Sequence, residues 1–102
     1  MFSAFVEPPT DRIAVINEDL TLQCAVINTE TGTSHGLTVR WKFNGGLLNP
    51  KYLVYPNGSL LIPSVDEGDL GSLTCLVYND TNSLLVLTSE PANVFSVGKI
   101  KI

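Results

Sequence analysis

Asp69-Leu70-Gly71-Ser72-Leu73-Thr74-Cys75-Leu76-Val77-Tyr78 runs from an acidic turn into a stretch that alternates with period two. Leu73, Cys75 and Val77 fall on one side, and Leu76 and Tyr78 on the other. Successive side chains of a strand point to opposite faces, so this alternation marks a strand with one face in a core. Two upstream stretches repeat the pattern. In Leu20-Thr21-Leu22-Gln23-Cys24-Ala25-Val26, one face carries Leu20, Leu22, Cys24 and Val26. In Leu37-Thr38-Val39-Arg40-Trp41-Lys42-Phe43, Leu37, Val39, Trp41 and Phe43 share a face, with Thr38, Arg40 and Lys42 opposite. Both cysteines and the tryptophan therefore lie on apolar faces.

Turn chemistry separates these strands. Asn44-Gly45 tolerates the positive φ angles of a tight hairpin. Tyr55-Pro56-Asn57-Gly58 sets up a β-turn before Ser59-Leu60-Leu61-Ile62. Pro8-Pro9 and Pro91 confine their segments to edges or bulges. Strands are expected near 3–7, 11–16, 19–26, 37–43, 51–55, 59–63, 72–79 and 84–98. Short strands with turn signals between them, and no helical period, predict an all-β antiparallel sandwich or barrel.

The chain has 102 residues, enough for one domain with one core. Hydrophobic residues make up 44% and charged residues 16%, the opposite of a disordered composition. Net charge is −4 with no basic run, so nucleic acid and anionic membrane are poor partners. No apolar run is longer than that of Leu84-Leu85-Val86-Leu87, which falls far short of the ~18 residues of a spanning helix. The N-terminal Met1–Val6 lacks the basic region and length of a signal peptide. Residues 1–102 are expected to be a single domain excised from a larger multidomain protein, with any export signal elsewhere.

Cys24 and Cys75 lie 51 positions apart, a spacing that fits neither a zinc motif nor a redox pair. With Trp41 between them, and with Asp69-Leu70-Gly71-Ser72-Leu73-Thr74-Cys75, they resemble the Cys…Trp…D-x-G-x-Y-x-C pattern of immunoglobulin domains. Asn57-Gly58-Ser59-Leu60-Leu61-Ile62 resembles another strand of that family. The resemblance implies a two-sheet Greek-key sandwich of the intermediate (I-set) type. In it, a Cys24–Cys75 disulfide joins the sheets and Trp41 packs on the bridge. One departure stands out. The family's corner tyrosine falls at Leu73, which has no hydroxyl, so the corner is expected to hold by packing alone.

Within the family, the chain resembles Ig domains of cell-surface receptors. Glu7-Pro8-Pro9, Trp41-Lys42 and Asn57–Ile62 are similar to the first domain of DCC/neogenin-type guidance receptors. Cys75–Val97, including Asn79-Asp80 and Ala92-Asn93-Val94-Phe95-Ser96-Val97, is similar to that of off-track-type receptors with a catalytically dead kinase, the favoured match. The resemblance implies an extracellular module of a type I membrane protein, active in Wnt or guidance signalling. The alternative is an intracellular structural module, as in giant muscle proteins, with both cysteines reduced.

Catalytic chemistry finds no support. His35, the single histidine, sits in the loop run Thr31-Gly32-Thr33-Ser34-His35-Gly36. Ser34 beside it lacks the orienting third group and oxyanion hole of a hydrolase. Asp66, Glu67 and Asp69 match no EF-hand loop, and calcium needs six or more oxygen ligands. No cofactor, metal site or catalytic residue is expected. Two sequons, Asn57-Gly58-Ser59 and Asn79-Asp80-Thr81, fall at turns and mark Asn57 and Asn79 as candidate glycosylation sites. Leu76 and Tyr78, on the outward side of their strand, together with the apolar run at 84–87, mark a candidate protein-binding surface, for a receptor or ligand protein or for a neighbouring Ig domain of the same protein. The long 27–36 loop is a second place for a partner.

Overall fold

A computed structural model describes residues 3–96. Ten strands form two layers: β1 (Ser3–Glu7), β2 (Arg12–Ala14), β3 (Leu20–Leu22), β4 (Ala25–Asn28), β5 (Leu37–Phe43), β6 (Leu53–Val54), β7 (Leu60–Ile62), β8 (Gly71–Asn79), β9 (Leu85–Thr88) and β10 (Ala92–Ser96). One layer holds the pair β1-β4 and the sheet β3-β7-β6, joined through the short Gln23-Cys24 break. The other is the sheet β2-β10-β8-β5, with β9 also on β8.

The expected antiparallel architecture needs one correction. β2 runs parallel to β10, with Ile13 opposite Phe95. The chain pairs first with β4, then crosses to the other layer after Pro8-Pro9. Neither proline has an N–H to continue a ladder, so the crossing falls there. Two expected strands also divide. Residues 19–26 break at Gln23-Cys24, and 84–98 breaks at Ser89-Glu90-Pro91. Val97 and the residues after it lie outside the described residues.

The alternating faces become the core. Leu20, Leu22, Cys24 and Val26 are buried from one layer, and Leu73, Cys75, Val77 and Trp41 from the other. Cys24 and Cys75 are fully buried and bonded, with Cα atoms 6.5 Å apart. Trp41 stands directly across from Cys75 in the β5–β8 ladder. Its indole N–H donates to the Gly58 carbonyl at 2.9 Å, so the ring is buried without an unmet donor. Gly58 has φ of +92°, and a Cβ there would lie 2.2 Å from the Cys24 carbonyl oxygen. Glycine is the residue that satisfies both demands. Asn44-Gly45 forms its hairpin with both residues at positive φ and Phe43 paired with Gly46.

Candidate protein-binding surface

The acidic cluster is consumed by the fold. Asp66 caps a 3-10 turn at Glu67–Asp69, and the Asp69 carboxylate accepts from the Asp66 amide at 2.9 Å. Asp69 is 1% exposed. Its other contacts are the Tyr52 hydroxyl and the Lys51 ammonium, both donating at 2.6 Å. Burial pushes the Asp69 carboxyl up, but the hydrogen bonds from Lys51, Tyr52 and the Asp66 amide outweigh it and hold it below the usual range. Burial, followed by the bond to Asp69, raises the Tyr52 hydroxyl well above its ordinary value. The hydrogen bond to Asp69 raises Lys51 as well.

This arrangement corrects the expectation that packing alone holds the corner at Leu73. Leu73 is fully buried and contributes packing, while Tyr52 supplies a hydroxyl tie from a different part of the chain. Tyr52 also meets Phe43 edge to face at 6.3 Å. Among the described residues, no three His, Cys, Asp or Glu side chains are grouped to hold a metal ion. His35 is exposed in the 27–36 loop.

The candidate surface lies on the outer face of the β5–β8–β9 sheet, and the structure divides the residues assigned to it. Tyr78 is half-buried and lies under Arg40, whose guanidinium carbon is 5.7 Å from the ring centroid. Leu76 departs from expectation: it points away from the main core but is only 7% exposed. β8 is flanked on both sides, and the ladder places Leu76 between Arg40 on β5 and Thr88 on β9. An outward position on a central strand is covered by its neighbours' side chains, so Leu76 supports the fold and is removed from the binding surface.

Beside Tyr78, a depression of about 340 Å³ is lined by Thr38, Arg40, Tyr78, Asn79, Asp80 and Ser83. The Thr38 hydroxyl donates to the Asp80 carboxylate. The Asp80 amide donates to the Gly36 carbonyl at 2.9 Å, and the Ser83 amide to the Asn79 carbonyl at 2.7 Å. These bonds hold the turn between β8 and β9 as a fixed wall. Arg40 and Asp80 were missed as site residues in the sequence. The signal for Arg40 was present, since alternation puts it outward on β5, but its nearness to Tyr78 depends on register.

The two sequons also diverge. Asn57 is exposed, and its side-chain oxygen accepts from the Ser59 amide at 3.0 Å. Asn79 is 7% exposed, and its side-chain oxygen accepts from the Thr81 amide at 2.8 Å. The expected exposed turn position therefore holds for Asn57 and is corrected for Asn79, whose side chain builds the turn instead of projecting from it.

A family model for the immunoglobulin domain matches residues 4–79. A comparison with curated protein sequences finds no match. Among solved structures, the N-terminal Ig1-2 module of the Drosophila receptor protein tyrosine phosphatase DLAR is similar. It has a TM-score of 0.76 and 21% identity, over 95% of this chain and 46% of that one. Extracellular domains 3-5 of Drosophila OTK give 0.73 and 19%, over 94% of this chain and 32% of that one. Titin domains Z1Z2 in complex with telethonin give 0.74 and 17%, over 95% and 48%. The chain thus spans about half the length of the DLAR structure, and identities this low speak to the fold alone. With the family model covering most of the described residues, and the bridge, buried indole and two-layer sheet in place, the chain belongs to the immunoglobulin domain family.

Proposed function

We propose that this domain is a non-catalytic protein-binding module of a receptor ectodomain. It belongs to the I-set type and to a longer extracellular chain anchored as a type I membrane protein, with Wnt or guidance signalling as its setting. One observation carries the reading: a fixed depression walled by Tyr78 under Arg40. Tyrosine and arginine are the residue types that dominate protein–protein binding energy. Receptor Ig domains among the structural neighbours, and the closed disulfide, support the extracellular setting.

The test is a panel of purified secreted and cell-surface ectodomains probed with multimerised wild-type domain. Wild type binds at least one ectodomain, and Tyr78→Asp and Arg40→Glu reduce that binding at least tenfold while unfolding at the wild-type temperature. A panel with no binder, or variants that bind as well as wild type, overturns the proposal.

A second reading, a structural module inside muscle-type filaments, is favoured by the titin match, which is as good as the receptor matches. Intact mass of the protein from its native source separates the two. The receptor reading gives an oxidised Cys24–Cys75 pair and a glycan lost in Asn57→Gln, with none lost in Asn79→Gln. Two alkylatable thiols and no glycan give the other.

A further inference from the structure

The sheet carrying Tyr78 has an edge to which no strand pairs among the described residues, although β1 of the other layer passes close to it. Among the described residues, β9 pairs only with β8. The strand β2 that closes the far half of this edge pairs with β10 at Val94–Ser96 and does not reach β9. An unpaired edge is a template for another strand, and proteins usually guard it with charge or proline. β9 has neither. Asn82–Ser89 contains no charged residue, in a chain of net charge −4. A one-residue register shift at Val86 is its single irregularity, and it leaves three consecutive apolar side chains in solvent. Leu84 is 61% exposed, Leu85 49% and Val86 38%.

We propose that β9 is a self-association edge, pairing antiparallel with β9 of a second copy of this chain. The charge pattern selects this occupant. Two identical acidic molecules repel over most of their surfaces, and the uncharged strip from Asn82 to Ser89 is where they approach without opposing like charges. Such a contact is isologous and closes at two subunits, joining two five-stranded sheets into one. The contact is a single short strand edge, of the small class that goes with weak and transient association, so the dimer is expected to be reversible. It borders the Tyr78 depression at Ser83, while Arg40 and Thr38 of that depression lie away from it on β5.

Sedimentation equilibrium of the 102-residue chain over a concentration series tests this, the monomer being 11.0 kDa. Wild type shows a reversible monomer–dimer equilibrium. Leu85→Lys and Leu84→Glu each weaken it at least tenfold with unfolding temperatures unchanged. Ile13→Lys, at a 66% exposed position on β2, leaves it intact. The lysine changes are diagnostic because each lowers net repulsion, so only loss of the edge can weaken the dimer. Arg40→Ala, which disables the depression alone, also remains dimeric, so failure here is distinguishable from failure of the partner-binding reading. A monomer throughout, a dimer that survives both β9 changes, or equal loss in Ile13→Lys overturns the proposal; in those cases the strip serves a different protein's strand or none.

Discussion

Replacing both Cys24 and Cys75 with alanine lowers the unfolding free energy by about 4 kcal/mol in the chain-entropy model of a cross-link. A loop of this length, 51 positions from end to end, gives a large entropy difference when it opens. Domains of this size have roughly 5–15 kcal/mol in total, so the loss is a large fraction. Both side chains are fully buried, and truncating them also removes packing against Trp41 and Leu22 in the common core. Urea unfolding followed by fluorescence of Trp41, the single tryptophan, measures the change. The midpoint falls, and the slope rises because the unlinked chain exposes more surface when unfolded. Reductant added to native wild type acts slowly, since the bridge is reached only through opening of the sandwich. A double variant within 1 kcal/mol of wild type would remove the bridge from the forces that hold the layers together.

The two layers were legible in the sequence because strand alternation is a local property of the pleat. Leu73, Cys75 and Val77 point the same way whatever else the chain does, and all three are fully buried. The parallel β2–β10 pairing was not legible, since it depends on where the chain crosses between layers. Leu76 shows a subtler limit. Alternation gives the direction of a side chain but not what lies beside it, and only the register puts Arg40 and Thr88 around it. Asn79 fails for a chemical reason: the side-chain bond to the Thr81 amide that makes asparagine a good turn former also draws it inward. Tyr52 was hidden because residues 51–55 were expected to form one strand. Only Leu53–Val54 does, and Tyr52 turns in toward a carboxylate 17 positions away.

That carboxylate sets the second large effect. Asp69→Ala costs about 3 kcal/mol, because it leaves the buried Tyr52 hydroxyl without its acceptor and frees the Asp66 amide at once. Tyr52→Phe costs less, about 1–1.5 kcal/mol, since it removes one hydrogen bond and leaves Asp69 with two other donors. The double variant loses less than the sum, because both changes break the same bond. The pH dependence carries a definite sign. Asp69 titrates lower in the folded protein than the 3.8 of a free carboxyl, so the unfolded chain binds the proton first. The stabilisation from the ionised group is therefore fully present at neutral pH and down to about pH 5. It is lost as pH falls through 3.8 and on toward the lower folded value. Asp69→Asn removes that ionisation, so its stability difference from wild type shrinks steadily as pH is lowered from 5 toward 2.5, on the scale set by a free carboxyl near 3.9. Urea midpoints of the two proteins across that range provide the measurement. A difference that stays constant from neutral pH to acid would mean that the Asp69 contacts act through shape and not through charge.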